Sequence, residues 1–218
     1  MNRIYSFIIK LWEFATITIF PKSELEIELE NSDCATFANN LPKEFSDKND
    51  IISLLPYRSK IVNELIHLIK YNANPLASEV GAVILHEAIL DELSESLQGK
   101  KPILTPIPAT KFRMKEHGFN QAELLAKRII ELGGKEFLDY EPELISRVHG
   151  KKRQTQMRGR RERLANMKQE FFVNSNAVSG RSVIVIDDIT TTGATLIDAK
   201  RALKEAGARK VICIALAH

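Results

Sequence analysis

Apolar residues recur at helical spacing twice in the first half of the chain. In RSKIVNELIHLIKY, Ile61, Leu65, Leu68 and Ile69 share one face, and in LASEVGAVILHEAILDELSESL the spacing continues through Val80, Ile84, Ile89 and Leu93. Two amphipathic helices are therefore predicted ahead of the first strand. KPILTPIP is short, rich in β-branched residues and closed by prolines, which predicts a strand ending in a rigid turn at Pro106 to Pro108. NQAELLAKRIIELGG predicts a helix with Asn120 as N-cap, Glu123 completing a capping box, and Gly133 with Gly134 as the stop. ELISRV and QEFFVN read as two strands of a hairpin, with Phe171 and Phe172 expected to point inward.

After Gly180 the order is strand, loop, helix, strand. The first strand covers Ser182 to Ile186, the helix runs from about Thr195 to Ala206 with Gly207 as its stop, and KVICIALAH follows. That is a βαβ unit, which implies parallel pairing and a crossover. The fold class is α/β, with a central, mostly parallel sheet flanked by helices. Residues 1–30 are apolar and then acidic, and residues 31 to about 50 are polar and predict a linker. The expected division is an N-terminal extension over residues 1–50 and one main domain over residues 51–218.

Composition narrows the class. The chain has 218 residues, 44% hydrophobic and 27% charged, which fits one full-sized core and argues against wholesale disorder. Its two cysteines, Cys34 and Cys213, form no CxxC pair, so a disulfide framework and a cysteine-based zinc site are both excluded within one chain, and a reducing cytoplasm is expected. Lys10 and Glu13 interrupt the apolar opening MNRIYSFIIKLWEFATITIF, so no transmembrane segment is predicted there. An amphipathic helix docked on the body or on a partner is expected instead. His67 and His86 lie on predicted helices without a partner at metal-ligand spacing and read as ordinary core or surface residues.

Charge is distributed unevenly. The net charge is +3, yet residues 151–163, KKRQTQMRGRRER, hold seven basic residues and one acidic; the segment carries +6 and the remainder of the chain −3. Such a segment is a solvated connection or an attractor of phosphates.

The strongest chemical signal is VIVIDDITTTGATL. A strand apolar enough to be buried on both faces ends in Asp187 and Asp188, and a loop of hydroxyls follows. Ligands gather at the carboxyl ends of strands in an open parallel sheet, where loops meet helix N-termini. Two adjacent carboxylates there need compensation from a metal ion, backbone N–H groups or ligand hydroxyls, and a vicinal diol offers two donors. Thr191, Thr192 and Thr195 offer hydroxyls, Gly193 allows a positive φ, and the next helix adds free N–H groups, so the loop suits a phosphate. Together these features predict a clamp for a phosphorylated pentose. A Rossmann site would need GxGxxG, which the sequence lacks.

The VIVIDDITTTGATL stretch resembles the phosphoribosyl pyrophosphate signature of type I phosphoribosyltransferases. LIKYNANPLASEVG, TPIPATKFRMKEHGFNQAELLA and RQTQMRGRRERLANMKQEFFV narrow the resemblance to the ComF-like branch, over about residues 51–218. The resemblance implies a type I phosphoribosyltransferase fold with a β-hairpin lid and a helical N-terminal extension in place of the family's zinc module. It implies that Asp187 and Asp188 hold the ribose hydroxyls, directly or through Mg²⁺, while Thr191, Thr192, Gly193, Ala194 and Thr195 cradle the 5-phosphate. Pro108, Ala109, Thr110, Lys111 and Arg113 match the pyrophosphate loop. Lys151, Lys152 and Arg153 belong to the lid, and Arg147, Thr155, Gln156, Arg163 and Asn166 match recurrent positions there. Asp187, Asp188 and Arg113 are the expected catalytic residues. His117 departs from the family, which commonly has arginine at that position.

The expected function is transfer of a phosphoribosyl group from 5-phosphoribosyl 1-pyrophosphate, with Mg²⁺, to a nucleobase or amine, releasing pyrophosphate. The alternative is a non-catalytic phosphoribosyl pyrophosphate or nucleotide binder, or an accessory protein of DNA uptake. A homodimer and nucleic acid bound through residues 151–163 are the further partners to test.

Overall fold

In the computed structural model, which describes residues 22–48, 51–94, 100–148 and 170–218, an apolar sheet is covered on both faces. In chain order the elements are α1 (Glu24–Asn31), α2 (Cys34–Asn40), β1 (Ser46–Lys48), β2 (Ile51–Leu55), α3 (Lys60–Asn72) and α4 (Pro75–Ser94). There follow β3 (Ile103–Pro106), α5 (Lys111–His117), α6 (Gln121–Glu131), β4 (Asp139–Tyr140), β5 (Ile145–Arg147), β6 (Phe171–Val173), α7 (Ser175–Val178), β7 (Ser182–Ile189), α8 (Ala194–Glu205) and β8 (Lys210–Ala217). Six strands form the main sheet in the order β1-β2-β8-β7-β3-β4, and β5 and β6 form a separate pair. Only the β1–β2 contact of the main sheet is antiparallel. The βαβ unit is present as expected, with Val183 opposite Val211 and Ile186 opposite Ile214 across the parallel β7–β8 pair.

The alternation of β7 explains its apolar run. Ile184 and Ile186 join Leu65, Ile69, Leu85 and Leu125 in one core, and Val183 and Val185 join Leu196, Leu203 and Phe171 in the other. Side chains alternate across a strand, so a strand with helices on both sides has no polar face to show. α8 and the β5–β6 hairpin cover the second face, while α3, α4 and α6 cover the first.

Several sequence expectations change. A strand, β2, precedes the two long helices; IISLL, apolar but for Ser53, is too short to show a period, and all five of its residues are buried. The stretch expected as a polar linker holds α2 and β1. Leu25, Leu29, Phe37 and Leu41 are buried in the first core, each pair four residues apart amid polar neighbours. Ser23 and Glu26 form a true capping box on α1, and the Asp33 carboxylate caps α2 by accepting from the Thr36 amide at 2.9 Å. On α3, Val62 and Ile66 are buried where Ile61 was expected to lead.

Asn120 flanks α6 without capping it. Its Nδ2 donates to the Ile107 carbonyl at 3.0 Å, and Glu123 pairs with Lys127 at 2.7 Å, so the expected capping box is replaced by a tie to the proline turn. Phe171 is buried, whereas Phe172 is 49% exposed, because adjacent residues of β6 face opposite ways. Among the described residues, no helix is long and apolar enough to cross a membrane.

Candidate functional site

β7 runs three residues further than the sequence suggests, since Asp187 pairs with Ala215 and Ile189 with Ala217. Asp187 and Asp188 are therefore strand residues, and their side chains leave opposite faces. Asp187 follows the parity of Val183 and Val185 towards α8 and the hairpin. Asp188 follows Ile184 and Ile186 towards α3. Both are buried, at 6% and 1% exposure.

The Asp187 side opens into a cleft of about 220 Å³ bordered by Thr110, Arg113, Arg147, Glu170 and the loop from Thr190 to Thr195. Each wall has a local cause. The loop is pinned at its start by the Thr190 amide, which donates to the Ala217 carbonyl at 2.9 Å, and it turns at Gly193, whose φ is +76°. A Cβ on Gly193 would lie 2.5 Å from Ile51 Cδ1, so both the backbone conformation and the space require glycine. α8 then begins at Ala194 with its first-turn N–H groups at the cleft. Opposite, the Thr110 hydroxyl accepts from the Arg113 amide at 3.1 Å and starts α5, so Lys111 and Arg113, expected in the pyrophosphate loop, stand on a helix.

Arg147 is held in place on three sides. Its Nε donates to the Pro108 carbonyl at 2.7 Å, its guanidinium lies 4.9 Å from the centre of the Phe171 ring, and its Nη1 pairs with Glu170 across the hairpin. Burial pushes the Arg147 pKa below the ordinary arginine value, against the opposing pull of Asp187. Beyond Arg147 a broader hollow of about 650 Å³ lies between Pro108, Ala109, Met114, Asn120 and the β5 strand.

The Asp188 side is an ion-pair cluster. Lys70 Nζ in the last turn of α3 lies 3.4 Å from Asp188 Oδ2, and Arg113 Nη1 lies 3.9 Å from Oδ1. Oδ2 accepts no well-directed hydrogen bond. The Asp187 Oδ1 accepts from the Asp188 amide at 2.9 Å. Burial and then the neighbouring Asp188 charge raise the Asp187 pKa well above the ordinary aspartate value.

The structure thus brings together Asp187, Thr110, Arg113 and the residues from Thr191 to Thr195, while Asp188 is absent from the cleft lining and adjoins it through Arg113. Pro108 and Ala109 face the second hollow, and Lys111 is exposed on α5. His117 packs its ring edge-on to Tyr71 at 4.8 Å, away from the residues that border the cleft. Lys151, Lys152, Arg153, Thr155, Gln156, Arg163 and Asn166 lie outside the described residues. Sequence reasoning missed Lys70, Glu170 and Ile51. Lys70 stands on the polar side of an amphipathic helix, where a lysine normally signals only solubility, and its one distinguishing mark is that it is the sole basic residue of the last turn.

A family model, the phosphoribosyl transferase domain, matches residues 143–218, which include the hairpin, β7, the threonine loop and α8. The competence protein ComFC of Streptococcus pneumoniae is 35% identical over 132 residues, covering 60% of this chain and 55% of that protein. This is a ComF-like chain with a phosphoribosyltransferase-type fold. ComFC of Bacillus subtilis is 38% identical over 105 residues, covering 48% of the ComF-like chain and 39% of that protein. The chain thus spans about half the length of the curated relatives it matches. Among solved structures, the glutamine phosphoribosylpyrophosphate amidotransferase of B. subtilis, complexed with ADP and GMP, is 17% identical over 67% of the ComF-like chain and 29% of its own, with a TM-score of 0.39.

Proposed function

We propose that the cleft binds 5-phosphoribosyl 1-pyrophosphate and that the protein transfers the phosphoribosyl group to a nucleobase or amine. One observation carries this reading: a buried carboxylate, Asp187, and a threonine-glycine anion loop open into the same cleft. The loop would take the 5-phosphate and the Asp187 carboxylate a ribose hydroxyl. Asp188 would act indirectly, by holding Lys70 and Arg113 near the strand end.

Mg²⁺ fits this site as a companion of the substrate. Among the described residues no group of three or more His, Cys, Asp or Glu side chains could hold a metal ion. Asp187 offers a carboxylate at the cleft, and Mg²⁺ characteristically takes one or two carboxylates and fills its shell with phosphates and water. When bound it would withdraw charge from the leaving pyrophosphate. In transfer, the bond from ribose C1 to the pyrophosphate oxygen breaks with its electron pair leaving on pyrophosphate, and the acceptor nitrogen bonds to C1 and gives up a proton. Arg113 and Arg147 offset the charge that the leaving group gathers, and the fixed sugar supplies the alignment.

Titration calorimetry of phosphoribosyl pyrophosphate with Mg²⁺ tests the reading. Wild type should release or absorb heat with a saturable midpoint, and Asp187→Asn should weaken binding at least about tenfold, the loss of a charge-assisted hydrogen bond. No binding to wild type removes the reading. The competence proteins that the chain resembles favour a second possibility, a non-catalytic ligand-binding accessory of DNA uptake. Pyrophosphate release in a screen of nucleobases and amines separates the two: turnover supports the transferase, and binding without turnover supports the accessory.

A further inference from the structure

We propose that Glu170 is a built-in counter-anion, seated on Arg147 in the cleft, which an incoming phosphate or pyrophosphate group has to displace. The inference rests on the anion-binding reading of the cleft and deepens it, since it names the residue that sets how strong an anion must be to enter.

Arg147 is a buried cation, its side chain only 12% exposed. Such a charge needs an anion close by. Asp187 acts on it only through space, and the direct partner is Glu170. The two ends of that pair differ in freedom. The Nε hydrogen bond to Pro108 and the Phe171 ring hold the guanidinium, whereas the Glu170 side chain is 42% exposed and has no further hydrogen bond or ion pair among the described residues. Glu170 also borders the same cleft as Arg113, Asp187 and the threonine loop, so its carboxylate occupies a place where a phosphate oxygen would meet Arg147. Separation of the pair therefore moves the glutamate and leaves the arginine in place.

The energetics follow from competition. An anion that binds Arg147 gains that contact and forfeits the Glu170 pair, so its apparent affinity falls by the fraction of molecules in which Glu170 is already away. The same factor applies to every anion that uses Arg147. A singly bound anion is held to weak affinity, whereas a phosphorylated pentose, with its hydroxyls on Asp187, retains enough contacts to bind.

The test is calorimetric titration of inorganic phosphate, pyrophosphate and phosphoribosyl pyrophosphate into wild type, Glu170→Gln and Glu170→Asp. Glu170→Gln should bind all three about five- to tenfold more tightly, by a common factor, and Glu170→Asp should stay near wild type. In an Arg147→Met background the gain from Glu170→Gln should vanish, because no cation remains for Glu170 to occupy. Equal or weaker binding by Glu170→Gln, where wild type binds phosphoribosyl pyrophosphate, overturns this proposal and leaves the functional reading intact. If wild type and Glu170→Gln both fail to bind any of the three, both fall. Since Glu170→Gln leaves the mostly buried Arg147 without its direct partner, that variant should melt below wild type, and binding is compared at a temperature where circular dichroism shows both proteins folded.

Discussion

Asparagine at the two adjacent aspartates should change stability in opposite directions. Asp187→Asn should stabilise the ligand-free protein by about 1–2 kcal/mol at neutral pH, while Asp188→Asn should destabilise it by about 2–4 kcal/mol. Asp187 is a buried carboxylate whose pKa is raised by burial and by Asp188, so its charge is a cost in the fold. Asparagine removes that charge and keeps an oxygen to accept from the Asp188 amide. Asp188 is the counter-ion of Lys70, and its loss leaves a mostly buried ammonium unpaired. For a carboxyl whose folded pKa lies above its unfolded value, the cost of ionisation is present in full above the folded pKa. It disappears as pH falls to the unfolded value, where both states are protonated. The advantage of Asp187→Asn should therefore shrink as pH falls through the raised pKa of the folded carboxyl towards the ordinary aspartate value of about 4. Thermal unfolding across that range, with all three proteins, reads the result. Equal and parallel destabilisation by both variants would show that the two aspartates do the same job.

Gly193→Ala should cost about 2–4 kcal/mol in stability and reduce phosphoribosyl pyrophosphate binding below detection. Two effects add. Alanine at a φ of +76° is strained, and its Cβ would lie 2.5 Å from Ile51 Cδ1. The second effect can be tested separately: an Ile51→Val change in the same chain removes the offending methyl carbon, so the double variant should recover part of the stability and none of the φ strain. Binding should remain impaired, because the loop that offers its N–H groups and hydroxyls has changed course. Chemical denaturation gives the stability and calorimetry the binding. Wild-type affinity in Gly193→Ala would show that the loop does not hold the ligand.

The two substitutions also mark where local pattern ends. The helix α4 with Val80, Ile84, Ile89 and Leu93 buried, the parallel βαβ unit and the need for glycine in TTTGAT were all legible, because each depends on neighbours within a few residues. β2 was not, because a five-residue apolar run has no period of its own and becomes a strand only by pairing with β8, at the far end of the chain. The helices within residues 22–48 were hidden likewise: their apolar residues are sparse, and only the docked face shows that Leu25, Leu29, Phe37 and Leu41 belong to the core. The Asn120 cap failed for the opposite reason: the side chain is turned to a tertiary partner, its Nδ2 donating to the Ile107 carbonyl, and it makes no capping bond to the helix's own amides.

The sequence by itself determined the class of fold and the chemical character of the site, because strand period, turn residues and the order of charges and hydroxyls are properties of short segments. Only the tertiary structure decided how the acidic pair is used. Register with β8 carries β7 on to Ile189 and so turns Asp187 and Asp188 to opposite faces, one towards the threonine loop and the other towards Lys70. Lys70, Arg147 and Glu170 reach the strand end from α3 and from either arm of the hairpin. No local pattern encodes such encounters; they exist once the sheet has brought distant elements to a common edge.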